Sequence, residues 1–172
     1  MTGTIHNRES FLANIAKQLG RSPKIELSRP TWQYQPQDRI LNDATKDELV
    51  EVLIKQCANI HTDIVISTTA KLCEDLQSVV DHYGGQSIIT WHDKRFQEYG
   101  LAQLMTVQWP QANIQHYKWN AQHQEENIRQ AEKANIGITI SEMTLAESGT
   151  ALLFSSKDKG RSVSFLPEKS II

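Results

Sequence analysis

Apolar residues recur along the chain in two rhythms. Between Asn7 and Leu19, Phe11, Ile15 and Leu19 fall four apart, the spacing of one helix face, and Asn7 stands where a cap belongs. Gly20 follows at the position a left-handed C-terminal cap favours. Thr45 and Glu48 have capping-box spacing, and the helix they open sets Leu49, Val52, Leu53, Gln56 and Ile60 on one face. Leu72, Leu76, Val79, Val80 and Tyr83 mark another helix, capped by Thr68 or Thr69 and stopped by Gly84-Gly85. A further helix from about Asp93 carries Phe96, Leu101 and Leu104. The last, capped by Asn120 and running to Lys133, has a thin inward face of Ile128, Ala131 and Ala134.

Between these helices lie runs too short to be helical. Residues 63–67 contain Ile64, Val65 and Ile66 in succession, which predicts a strand covered on both faces. Residues 87–90, a weaker stretch at 113–117, 136–140 and 150–154 are the other strands. Strand, helix, strand, repeated three times, predicts an α/β fold: a mostly parallel sheet with helices on both faces and right-handed crossovers. Residues 21–36 interrupt the alternation, because Pro23, Pro30 and Pro36 exclude both helix interior and central strand. Trp32 and Tyr34 are too apolar for a plain linker; they pack on the domain or dock another chain. The expected division is a helix and Pro-rich arm over 1–36 and an α/β domain over 37–172.

Composition narrows the function classes. A formal charge of −2 over 172 residues offers no electrostatic case for nucleic acid or an anionic membrane. No apolar run approaches the roughly 18 residues of a membrane span, and the first 20 residues lack a signal-peptide core. Cys57 and Cys73 belong to no Cys-x-x-Cys pair, which argues against a disulfide scaffold, structural zinc or an iron–sulfur cluster in this chain and suits the reducing cytoplasm. Both cysteines read as inert packing residues. Neither Gly-x-Gly-x-x-Gly, a Walker pattern nor Gly-x-Ser-x-Gly occurs. The six histidines form no ligand-spaced pair and read as surface or helix-end residues.

The chemistry-bearing stretch is 134–160, where a polar segment, Ser141 to Gly149, separates the last two apolar runs. A polar turn at the ends of buried strands is where α/β proteins commonly hold ligands. Glu142, Glu147, Ser148, Thr150, Lys159 and Arg161 are the candidates around it. Glu147 suits a base or nucleophile, Gly149 and Thr150 could present backbone N–H groups to an oxyanion, and Arg161 could grip a carboxylate. The competing expectation is a surface loop in which Glu147 pairs with Arg161 or a neighbouring lysine.

Three segments in order, Asn135-Ile-Gly-Ile-Thr, Leu145-Ala-Glu-Ser-Gly-Thr and Gly160-Arg-Ser-Val-Ser-Phe-Leu-Pro, resemble the core signature of the LUD-domain family. The opening Asn7-Arg-Glu-Ser-Phe-Leu, then Gln18-Leu-Gly-Arg and the arm with Trp32, extend the resemblance over essentially the whole chain. It implies a three-layer fold related to glucosamine-6-phosphate isomerase, ribose-5-phosphate isomerase and the CoA transferases. It implies a role in oxidising L-lactate to pyruvate with two iron–sulfur partner proteins, the clusters residing in the partners and no cofactor in this chain. By looser analogy with CoA transferases, Glu147 takes the place of a nucleophilic glutamate. Family members continue with further strand-forming sequence, so residues 170–172 read as the start of a strand and the C-terminal part as truncated. Two other functions fit the residues: a stand-alone enzyme acting on a small carboxylate or acyl-CoA through a glutamate, and a non-catalytic assembly scaffold. Homo-oligomerisation is left open.

Overall fold

The strand expected at 87–90 forms as Ser87–Thr90 (β1), and the domain is built outward from it. The computed structural model describes residues 6–22 and 28–172, so Pro23 lies outside the described residues. They fall into two units that divide between Asn42 and Asp43.

The first unit holds helix α1, Arg8–Gln18. Asn7 precedes it, but with φ 58° its side chain makes no cap; instead Ser10 Oγ donates to the Asn7 carbonyl at 3.0 Å. At the other end the prediction holds. Gly20 has φ +62° and donates to Lys17 O, and Arg21 N–H donates to Ala16 O, the paired bonds of a Schellman cap. Phe11, Ile15 and Leu19 are exposed along their stripe, as are Trp32 and Tyr34.

The second unit begins with helix α2, Lys46–Asn59, opened by the predicted capping box: Thr45 N–H donates to Glu48 Oε2 at 2.7 Å, and Glu48 N–H to Thr45 Oγ1 at 3.3 Å. Its inward residues are those expected, joined by buried Cys57, while Ile60 stays exposed. Helix α3, Leu72–His82, buries Leu76 and Val80; neither Thr68 nor Thr69 caps it. Gly84, at φ +66°, ends the helix. Strand β1 follows, then a short helix α4, Arg95–Glu98, a π-turn over Leu104–Gln108 and helix α5, Trp109–Gln111. The single helix predicted from Asp93 is therefore broken, because Gly100 adopts φ +79°, a left-handed conformation that no continuing helix contains.

Strand β2 (Gln115–Lys118), helix α6 (Gln124–Lys133) and strand β3 (Ile136–Ile138) complete the alternation. Helix α6 turns inward on Asn127 and Ala131, whereas Ile128 is half exposed. Asn127 is satisfied despite its burial. Its side-chain oxygen accepts from Tyr117 Oη and Asn120 N–H, and its Nδ2 donates to Asn120 O. After β3 the chain forms a hairpin, β4 (Met143–Leu145) with β5 (Thr150–Leu152), then helix α7 (Ser162–Phe165) and strand β6 (Lys169–Ile171).

The central sheet has the order β2-β1-β3-β6, with each pair parallel. Register places Tyr117, Ile89, Gly137 and Ser170 on one face and His116, Ile88, Ile136 and Lys169 on the other. Helices α6 and α7 cover the first face; Gly137 lets α7 approach so closely that any Cβ there would meet the Val163 carbonyl. The second carries α3 and α5. The α/β architecture and mostly parallel sheet agree with the alternation read from the sequence.

Two predicted strands do not join that sheet. The segment at 63–67 makes no ladder, and Ile64, Val65 and Ile66 are 36%, 58% and 70% exposed. It is anchored by side chains, with Tyr83 Oη donating to Asp63 and Ser67 Oγ to Asp75 Oδ2. Three apolar residues have the propensity for a strand, but a strand also requires a neighbour with free backbone groups. The run at 150–154 forms β5 of the separate antiparallel hairpin, and Leu152 and Phe154 are exposed rather than buried.

Candidate functional site

Parallel strands end together, so the residues just past β1, β2 and β3 meet on one rim of the sheet. Beyond β1, Trp91 is buried and its Nε1–H donates to Gly160 O at 2.8 Å. Beyond β2, Trp119 donates Nε1–H to Lys157 O at 2.9 Å. Two indoles from adjacent strands thus clamp the segment before α7. Within it Ser156 and Lys159 exchange backbone bonds of 3.1 Å, and His92 N–H donates to Asp158 O. Gly160 lies flat beneath Trp119; a Cβ would coincide with the six-membered ring.

This clamp delivers Lys159 to a carboxylate pair. Lys159 Nζ lies 2.8 Å from Asp93 Oδ2 and 3.3 Å from Glu142 Oε1, and 5.7 Å from the Trp91 ring. Arg95 completes the group from the other side. Its Nε and Nη2 donate to Asp93 at 3.1 and 2.6 Å, and its outer edge, Nη1 and Nη2, donates to Glu142 Oε2 and Oε1 at 3.2 and 2.7 Å. Two cations therefore hold two carboxylates in a charge-balanced cluster. The two acids are not equivalent. The Asp93 side chain is 4% exposed, whereas that of Glu142 is 29% exposed and arrives from the start of the hairpin. Hydrogen bonds from Arg95, reinforced by Lys159, hold the Asp93 carboxyl far below the usual carboxylate range, against the opposing effect of burial. The same two cations, Arg95 foremost, lower Glu142, and Asp93 in turn raises Arg95. Just past β3, Thr139 is 2% exposed with its hydroxyl unpartnered among the described residues.

On the opposite face, His116 is half-buried beneath α5 rather than a surface histidine. Its ring links Thr90 Oγ1 at 3.0 Å and Met105 O at 3.2 Å. A ring nitrogen facing a carbonyl must carry a proton, which leaves Nε2 to accept from Thr90. Burial lowers its pKa to about 4, so the ring is neutral near pH 7.

Of the residues singled out in the sequence, Glu142 and Lys159 are brought together here. Glu147, Ser148, Gly149 and Thr150 lie at the hairpin turn instead. Glu147 is exposed, Ser148 Oγ donates to Thr150 Oγ1 at 2.8 Å, and Gly149 N–H is already donated to Leu145 O at 2.9 Å. A Cβ at Gly149 would press on Ile60 of α2. Arg161 stands at the start of α7 with its guanidinium over Phe165. No described ion pair joins it to Glu147. Asp93, Arg95 and the two tryptophans escaped sequence reasoning, although Trp91-His-Asp-Lys-Arg directly follows a buried strand. A charged run at the carboxyl end of such a strand is the signal that could have found them. The cysteines pack as expected, Cys57 buried and Cys73 donating Sγ–H to Gly100 O.

Residues 50–172, which include β1, β3 and every member of the cluster, match the family model described as the LUD domain. The chain belongs to the LUD-domain family. Curated relatives resemble it along nearly its full length. A lactate utilization protein C of Geobacillus sp. (strain WCH70) is 49% identical over 99% of this chain and 71% of its own. Proteins of the same name from Macrococcus caseolyticus and Bacillus subtilis are each 48% identical over 96% of this chain, and 68% and 69% of their own lengths. No solved structure matches the chain significantly.

Proposed function

We propose that this LUD-domain chain is a cytoplasmic subunit of an L-lactate-oxidising system that converts L-lactate to pyruvate together with two iron–sulfur partner proteins. The observation that carries the reading is end-to-end identity of 45–49% with proteins named for lactate utilization. Removing two electrons and two protons from a 2-hydroxy acid requires an electron acceptor. The chain's two cysteines, one on α2 and one on α3, are too few to ligate a four-thiolate cluster, which supports placing the clusters in the partners. Among the described residues no helix is long and apolar enough to cross a membrane.

Within this reading the rim cluster is the place for a small carboxylate substrate, because it offers a guanidinium fork and an ammonium at the carboxyl ends of parallel strands. Glu147, with Gly149, Thr150 and Arg161, remains the alternative site carried by analogy with CoA transferases; Glu147→Gln in a lactate-oxidation assay separates the two. The exposed Trp32 and Tyr34 suit a partner-binding arm. Co-purification from cells grown on L-lactate tests the proposal. Partners containing iron and acid-labile sulfide should be captured, and capture of no iron protein would overturn it.

A further inference from the structure

Arg95 has two hydrogen-bonding edges with different partners. The inner edge is committed to Asp93, only two residues away, which also receives the Arg95 backbone N–H at 3.0 Å. That pairing is local, nearly buried and shared with Lys159. The outer edge meets Glu142 as a two-bond fork, and Lys159 adds a third bond to the same carboxylate. Glu142 belongs to another part of the chain. It precedes a two-stranded hairpin outside the central sheet whose residues Met143, Leu145 and Leu152 are exposed.

We propose that the outer edge of Arg95, together with Lys159, is a binding site for a small monocarboxylate, and that the protein's own Glu142 carboxylate fills it until a ligand displaces it. The lactate reading is deepened by this assignment and supplies the ligand class. Exchange is electrically neutral, because one carboxylate replaces another against the same two cations. It needs no movement of the sheet: Asp93 holds both cations in place, and Glu142 has only to rotate its side chain toward solvent, where it is already partly exposed. Two indole hydrogen bonds fix the backbone carrying Lys159, so the cations are preorganised before the ligand arrives. The unpartnered Thr139 hydroxyl, one residue past β3 on the same rim, offers a hydrogen-bonding group with no partner among the described residues. A tethered Glu142 is an intramolecular competitor, so ligand affinity is set by its effective concentration as well as by the cations.

The test is calorimetric titration of the 172-residue chain with acetate, L-lactate and, as the uncharged control, acetamide at constant ionic strength. Glu142→Gln should bind both carboxylates about tenfold more tightly than the original chain, because the competing charge is removed and one cation is left unbalanced. Glu142→Asp, which keeps the charge but shortens its reach, should also tighten binding, by a smaller factor. Arg95→Lys should lose most of the affinity, since an ammonium cannot present the fork. Acetamide should bind none of them. Unchanged or weaker carboxylate binding in both Glu142 variants would overturn the proposal, as would an Arg95→Lys chain that binds normally. The two readings fail separately. Displacement by acetate and lactate alike, with no lactate oxidation by the assembled system, leaves the site and removes the lactate assignment. Oxidation that proceeds while the Glu142 variants bind no better removes the site alone.

Discussion

Replacing Gly160 with alanine tests whether the tryptophan clamp builds the site. The added Cβ would coincide with the Trp119 ring, so the indole or the backbone beneath it must move. Overfilling a packed position costs about 1–3 kcal/mol. Displacing the ring also breaks the 2.9 Å bond from Trp119 Nε1 to Lys157 O, worth about 1 kcal/mol more. The expected loss is therefore about 2–4 kcal/mol, read from the urea midpoint at unchanged slope. Gly84→Ala is the internal comparison. Gly84, unlike Gly160, sits at positive φ, but a Cβ there meets nothing within 4 Å, so only the left-handed backbone cost of about 1 kcal/mol applies. Tryptophan emission should shift to longer wavelength in the Gly160 variant as Trp119 is driven into water. The chain should also lose affinity for carboxylates, because Lys159 is one residue away. A Gly160→Ala chain within about 0.5 kcal/mol of the original, with unshifted emission, would refute the clamp.

Other perturbations have equally definite outcomes. His116 keeps a native pKa of about 4 because burial disfavours its charge, whereas an unfolded chain protonates it near the ordinary 6.5. Below pH 6.5 the unfolded state binds the extra proton, so stability falls as pH drops from 6.5 to about 4, by about 3 kcal/mol in all; chemical denaturation at stepped pH should show this slope, and His116→Phe should flatten it. Asp93→Asn leaves Arg95 and Lys159 without their buried counter-charge and should cost about 3 kcal/mol, measured by thermal unfolding. Ile66→Lys, at a residue 70% exposed on a segment that pairs with no strand, should leave the melting temperature unchanged and reduce self-association in sedimentation velocity. Removing residues 1–42 should leave a folded second unit with weaker capture of partners in pull-downs.

Much of this architecture was legible because its causes are local. The Thr45–Glu48 capping box, the Gly20 cap and strand β1 each follow from a few adjacent residues, and each formed where expected. What failed depends on distant partners. Ile64, Val65 and Ile66 have the composition of a buried strand, yet nothing in their own sequence tells whether another strand lies beside them. Likewise Thr150–Leu152 pairs with a neighbour only a few residues away, not with the sheet. The candidate site divides the same way. Glu142 and Lys159 were visible as charges in a conspicuous stretch, but their partners Asp93 and Arg95 lie far earlier, Arg95 47 residues before Glu142, across the parallel strands. Only the sheet order β1-β3 brings the two segments together.

The proposed role makes this chain necessary for L-lactate oxidation, with its rim cluster taking part. The direct measurement is L-lactate-dependent reduction of an artificial electron acceptor by purified partner proteins, with the chain omitted, restored, or supplied as Arg95→Lys. No pyruvate should form without the chain, activity should return in full on its restoration, and the Michaelis constant for lactate should rise about tenfold or more in the Arg95→Lys assembly. Equal pyruvate formation with and without the chain would contradict the proposed role.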